Sequence, residues 1–253
     1  MMNRVSGQND LLKARVADAV RLAENGGRPR FVGFLDEREA KVAARLVEHT
    51  PQEHLLLWGG FPEAERVIFG AFPDFSSPDP AAFPIVAFTV SFRKQDTLTH
   101  RDFLGALLHA GIERPSLGDI LVEPGRAVVF CRREISTFLL TQVEKIGGVG
   151  VHISEGSREP LPAAHHFAEF SAVVASARLD CLTAAAVGIS REKAAQMIRA
   201  QLVEVNHEPV SLPAAEMREG DILSVHGKGR FIFDRFGPFT KKGRLSITGR
   251  KFV

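Results

Sequence analysis

Ala177–Asn206 reads ARLDCLTAAAVGISREKAAQMIRAQLVEVN, and its punctuation predicts two short helices, a tight turn between them, and a strand that ends in a turn. Leu179, Leu182 and Ala186 recur at i, i+3 and i+7, which gives the first helix one apolar face. Gly188 can take the left-handed conformation that ends a helix, and the Ser190 hydroxyl can cap the next one. Ala194, Ala195, Ile198 and Leu202 form the apolar stripe of the second helix. Arg191, Lys193 and Arg199 stay off that stripe. Arg191 stands beside the helix N-terminus, where unpaired N–H groups and the helix dipole already favour an anion such as a phosphate. The segment is built to present positive charge from a small rigid scaffold.

Charge along the chain concentrates around it. The net charge is only +2 over 253 residues, but from Ser171 onward 13 Lys/Arg face 8 Asp/Glu, while residues 1–170 hold 19 against 22. Within His226–Val253 there are 8 Lys/Arg and a single Asp. Positive charge gathered on one region is the footprint of a polyanion binder. Apolar content of 45% and charged content of 25% are those of an ordinary globular protein. No run approaches the roughly 20 apolar residues that span a bilayer, and the N-terminus MMNRVSGQNDLLKARV lacks an apolar signal core. Cys131 and Cys181 are isolated and apolar in setting, which predicts buried, reduced thiols and a cytoplasmic protein.

Upstream, Asn9–Asn25 reads as a helix stopped by Gly26-Gly27, and Asp36 caps a second helix, EREAKVAARLVEHT. His54–Trp58 and Arg66–Phe72 read as strands, and the Pro- and Ser-rich stretch Pro73–Pro84 marks a boundary. From Ile85 the order changes. IVAFTVSF is a strand, HRDFLGALLHAG a helix, GDILVE and RAVVFC strands, ISTFLLTQVEKIGG a helix and VGVHIS a last strand. That β-α-β-β-α-β order is the ferredoxin-like pattern, shared by many RNA-binding modules. SREPLPAAHHF is a second linker.

RLD at 178–180, SREKA at 190–194, VEVN at 203–206 and GDILSVHGKGRF at 220–231 together resemble the S4 RNA-binding domain over roughly Ser176–Phe233. Two positions depart from the pattern: His207 stands where Gly often follows the Asn, and His226 stands where Arg is common. LTHRDFLGALLHAGIERPSLGDILVE at 98–123, the S4 unit after it and KKGR at 241–244 are similar to the YlmH-type S4 proteins of bacteria and plastids. The resemblance implies an α+β chain: a helix-rich α/β N-terminal region over 1–80, a ferredoxin-like (RRM-like) domain over 81–156, and a C-terminal S4 (αL-type) RNA-binding domain over 171–245 with a basic tail to 253. It also implies RNA binding and a role on ribosomes or large subunits that carry stalled nascent chains.

Several constellations echo enzymes. His100-Arg101-Asp102 matches the kinase HRD, but no DFG aspartate, downstream Asn or Gly-rich phosphate loop accompanies it. Thr99 or Asp102 starting a helix accounts for it, with Arg101 and Arg114 as cations open to RNA or to a salt bridge. RLDxxT at Arg178–Thr183 echoes the catalytic loop of pseudouridine synthases, whose Asp is a nucleophile. Here it belongs to the S4 pattern and no second catalytic domain supports it, so Asp180 reads as a helix-start residue near Arg178. GGVGVHISEG lacks GxGxxG, and His165-His166 lacks partners at metal-ligand spacing. No cofactor or catalytic site is expected. Phe231 and Phe233, at period 2, fit a core-facing strand, while Phe236 and Phe239 are left between core and base stacking.

The expected RNA-binding set is Arg178, Ser190, Arg191, Lys193, Gln196 and Arg199 on the helical face, with Lys228, Gly229 and Arg230 closing it from a glycine loop that lets backbone approach phosphate. Asn206 orders a turn beside that face. Lys241, Lys242 and Arg244 extend the footprint if the tail folds on the RNA. The expected partner is structured RNA, ribosomal or transfer, on the large ribosomal subunit, with no membrane and no DNA. The rivals are an RNA-modifying enzyme that uses S4 for targeting, and an adaptor whose central sheet face docks a protein.

Overall fold

The computed structural model describes residues 2–165, 167–241 and 243–253, without the side chains of 2–9 and 52. They form two compact units, one up to Ala164 and one from His165 to Val253. The first begins with α1 (Met2–Gly26), β1 (Arg30–Leu35), α2 (Glu37–Leu46), β2 (Leu55–Trp58) and β3 (Val67–Ala71). The strands make an antiparallel sheet in the order β1-β3-β2. Asp36 caps α2 as expected: its carboxylate accepts the Glu39 N–H at 2.8 Å, and the Glu39 carboxylate accepts the Asp36 N–H at 2.9 Å. Strand β1 escaped the sequence reading. Val32 and Leu35 pack with Val16 and Ala19 of α1, while Phe31 and Phe34 join Ile68, Phe72 and Phe83. A strand buried on both faces shows no alternation to read.

The unit continues through β4 (Ile85–Ser91), α3 (His100–His109), β5 (Leu117–Glu123), β6 (Arg126–Arg132), α4 (Ser136–Gln142), β7 (Lys145–Ile146), β8 (Val149–Gly150) and β9 (His152–Glu155). The sheet order β5-β6-β4-β9, antiparallel throughout, is the ferredoxin-like arrangement. Thr99 caps α3 with Asp102 closing a capping box, so the HRD echo is a helix start. The second helix is a correction. It spans seven residues, because Gly147 (φ 54°) and Gly148 (φ 82°) turn Ile146 back onto Val149 as a tiny hairpin.

One face of this sheet packs on the helices through Phe88, Val90, Val129, Phe103, Leu107 and Leu139. The other is covered as well. Phe61 stacks on Phe130, with ring centroids 4.9 Å apart and planes at 29°, and Leu161 and Ala164 join Leu121 and Val128 beneath it. The Arg126 guanidinium donates to the carbonyls of Arg158 at 2.8 Å and Pro160 at 2.6 Å, which straps that segment down. The open sheet face that a docking adaptor would need is therefore occupied by the chain itself. Arg114 is also committed. It donates to the Leu117 and Gly118 carbonyls, and burial, reinforced by the nearby Arg66 charge, lowers its pKa to about 10.

The second unit comprises β10 (Phe167–Val174), α5 (Leu179–Val187), α6 (Arg191–Arg199), β11 (Val203–Val205), β12 (Glu208–Pro209), β13 (Ile222–Val225), β14 (Gly229–Phe239) and β15 (Leu245–Phe252). Its sheet order is β10-β15-β14-β13-β11-β12. The expected basic tail is thus a structural strand. β15 lies between β10 and β14 and pairs with both. Leu245 and Ile247 are buried beside Val174, Phe231 and Phe233. A Cβ at Gly249 would run into the Ile232 carbonyl oxygen and the Phe170 ring. Phe231 and Phe233 face the core as expected, Phe236 packs at its margin, and Phe239 is exposed. Leu202 is exposed rather than part of the α6 stripe, because the helix has already ended.

Candidate nucleic-acid interface

Local chemistry sets the two helices. Gly188 ends α5 in the left-handed conformation (φ 72°, ψ 41°), and the Ser190 hydroxyl accepts the Lys193 N–H at 3.2 Å to begin α6. Leu179, Leu182 and Ile198 anchor both helices on the inner face of the sheet. Arg191, Lys193, Gln196 and Arg199 are consequently exposed along α6. This is the helical face that the spacing implied.

Asp180 organises it. Its side chain is 5% exposed yet carries charge. Oδ1 and Oδ2 accept Nε and Nη2 of Arg178 at 3.2 and 3.0 Å, and Oδ2 accepts Nε of Arg191 at 2.9 Å. Burial pushes the carboxyl up, but the hydrogen bonds from Arg178 and Arg191 outweigh it and hold Asp180 below the usual carboxylate range. The Arg178 guanidinium is raised in turn by the same bond. Two like charges are thereby fixed side by side while their outer edges, 40% and 52% exposed, stay available. Sequence reasoning placed Asp180 beside Arg178 but missed that it also holds Arg191. The signal was an acid among arginines on an otherwise apolar helix.

Asn206 and His207 form the two-residue turn between β11 and β12, with φ of 51° and 68°. A histidine therefore adopts the conformation in which glycine is commoner. The Asn206 amide accepts the Ile222 N–H at 3.0 Å and donates to Asp221 at 2.8 Å. Its side chain orders the turn.

The remaining candidates do not form one patch. Lys228 belongs to the turn joining β13 to β14 and Gly229 begins β14, where the His226 N–H bonds the Leu202 carbonyl close to the end of α6. Lys241 and Arg244 belong to the turn joining β14 to β15, at the other end of β14. That strand has 11 residues, so the turns stand roughly 30 Å apart at ~3.3 Å per residue. Arg244 donates to the Val173 carbonyl at 2.9 Å and pins β10. Lys242 lies outside the described residues. Arg230 alternates with the buried Phe231, so it leaves the side of the sheet that the helices cover and lies over the Phe252 ring, 4.1 Å from its centroid. It does not close the helical face.

Both cysteines are free and buried, and burial pushes the Cys131 thiol up to about 12. Among the described residues no His, Cys, Asp or Glu cluster could hold a metal, and no helix is long and apolar enough to cross a membrane.

A capped helix pair with clamped arginines, in a chain that also carries a ferredoxin-like domain, defines an RNA-binding protein of the S4 class. Residues 178–223 match the family model described as "S4 domain", and residues 78–159 match that described as "Putative RNA-binding domain in YlmH". The chain is 29% identical over 230 residues to the Bacillus subtilis (strain 168) "Ribosome-associated protein quality control protein P2", covering 90% of this chain and 89% of that one. Among solved structures it resembles "Cell division protein ylmH from Streptococcus pneumoniae", with a TM-score of 0.49 and 23% identity over 59% of this chain and 92% of the other. With these two domains in series, the chain has the domain order of the YlmH-type S4 proteins and is similar to one of them over nearly its whole length.

Proposed function

We propose that this protein is a non-catalytic, cytoplasmic factor that binds structured ribosomal or transfer RNA on the large ribosomal subunit, in ribosome-associated quality control. The Arg178–Asp180–Arg191 cluster beside the capped start of α6 carries the reading. It holds two guanidinium groups on one carboxylate, next to backbone N–H groups that favour anions. Lys193 and Arg199 extend the same face, and Lys228 joins it near the end of α6. Arg230, Lys241, Lys242 and Arg244 fall outside that compact footprint. Side chains cannot read the deep major groove of A-form RNA, so shape and backbone contacts dominate recognition. The ribosomal setting is supported by the printed name of the Bacillus relative and the near-complete coverage of both chains.

The modifying-enzyme rival gains nothing from this geometry. Asp180, its would-be nucleophile, is buried between two arginines and spends both oxygens on them.

The test is binding of the full chain to purified large subunits across a salt series. Five phosphate contacts give a slope of log K against log salt of about −4. Arg191→Ala with Lys193→Ala should weaken binding and flatten the slope by about one to two units. Unchanged affinity with an unchanged slope removes the helical face from the account.

A further inference from the structure

On the side of the second unit's sheet away from the helices, the end of β15 carries a cation–aromatic cluster. Phe167 of β10 and Phe252 of β15 are direct cross-strand partners with ring centroids 5.0 Å apart. The Arg230 guanidinium lies 4.1 Å over Phe252, and that of Arg250 lies 4.7 Å over Phe167. Arg250 is held there by a bidentate bond to Asp234, at 2.7 and 2.9 Å, so it contributes a fixed plane more than a free charge. The His165 ring meets Phe252 edge-on at 4.8 Å. Phe167 is 37% exposed, whereas Lys251 pairs with Phe231 and leans over that ring on the other side of the sheet.

The arrangement differs from the helical face in kind. There the cations are directed at phosphates; here flat aromatic and guanidinium surfaces lie side by side. Aromatic and guanidinium planes held side by side are a surface on which unpaired bases stack. The surrounding sequence, 8 Lys/Arg and one Asp in His226–Val253, suits a polyanion and opposes an acidic-poor protein partner. These residues also lie outside the stretch that matches the S4 domain, 178–223.

We propose that this outer sheet face is a second RNA contact, one that takes unpaired nucleotides adjoining the duplex held by α5 and α6. The proposal rests on the RNA-binding reading above, and its test separates the two. Full-length protein is titrated against a blunt RNA hairpin and against the same hairpin with a six-uridine 3′ extension. The wild-type chain binds the extended hairpin about tenfold more tightly, a modest yield for one or two stacked bases. Phe252→Leu with Phe167→Leu keeps the apolar contact, leaves blunt-hairpin affinity in place and reduces the gain to about twofold. Arg191→Ala with Lys193→Ala weakens both probes and keeps their ratio. In the unsubstituted protein, 4-thiouridine placed in the extension crosslinks to β15 or β10, a readout that no folding defect can imitate. Equal binding of both probes, or crosslinks only to α6, overturns the stacking face and leaves the helical one standing. Failure to bind either probe removes the RNA reading and this proposal with it.

Discussion

Replacing Asp180 by Asn separates the clamp from simple charge attraction. The carboxylate accepts three hydrogen bonds from Arg178 and Arg191 while 5% exposed. An amide has one oxygen and two donors, so at least one of those bonds is lost and an N–H is turned towards a guanidinium. Removing a buried ion's partner costs about 3–5 kcal/mol, but both arginines keep access to water. The loss for Asp180 therefore falls to about 2 kcal/mol. For a unit of this size that corresponds to a drop of roughly 10 °C in Tm, read by calorimetry on the full chain. The pH dependence has a definite sign. The folded carboxyl titrates below its unfolded value, so the stabilisation is fully present above about pH 4 and is lost as pH falls through the depressed folded value. The gap between wild type and Asp180→Asn should be widest near neutrality and close under acid.

The RNA measurement is sharper still. Asp180→Asn makes the protein one charge more positive, and non-specific attraction alone would tighten binding. Loss of the clamp frees Arg178 and Arg191 to move and should weaken binding about three- to tenfold, the order expected when ordering two side chains is no longer prepaid. Equal or tighter binding, with Tm unchanged, would refute the view that Asp180 positions the arginines.

Deleting 245–253 should abolish the thermal transition of the second unit rather than merely lower RNA affinity, because it removes β15 from between β10 and β14; circular dichroism and calorimetry would show it, and an intact transition would contradict the sheet order. Phe61→Ala should cost about 3 kcal/mol, since the ring is 8% exposed and stacked on Phe130. Calorimetry should register this as a fall of about 10 °C in the first unit's transition alone.

The helix pair was legible because its signals are local. A left-handed glycine, a capping serine and i, i+3, i+7 spacing each act within a few residues. The ferredoxin-like order was legible for the same reason, as a sequence of elements with clear punctuation. Where reading failed, a longer-range term won. Arg30–Leu35 is apolar on both faces, so it carries no period. The Gly147-Gly148 pair was read as the end of a helix when two glycines also make a hairpin turn. Leu245–Phe252 was masked by its neighbours' charge, although Leu245 and Ile247 alternate with Ser246 and Thr248 in the way a half-buried strand requires. Counting lysines and arginines there measured composition and overlooked register.

Register also decides what the positive charge can do. A flexible basic tail would act as a cloud, each charge reaching any phosphate within a Debye length of ~8 Å. A strand of 11 residues followed by one of 8 gives each cation one address instead. Lys228 is fixed at one end of β14 and Lys241 at the other, while Arg230 and Arg250 lie over rings on the face turned away from the helices. Charges that cannot pool on one phosphate cluster must engage different parts of the RNA or none. The helical face has its own counter-ion in Asp180, and Arg230 and Arg250, on the other side of the sheet, address a different stretch of the same molecule. A single RNA with a duplex and an adjoining unpaired segment satisfies both sets at once; a plain duplex satisfies only the first.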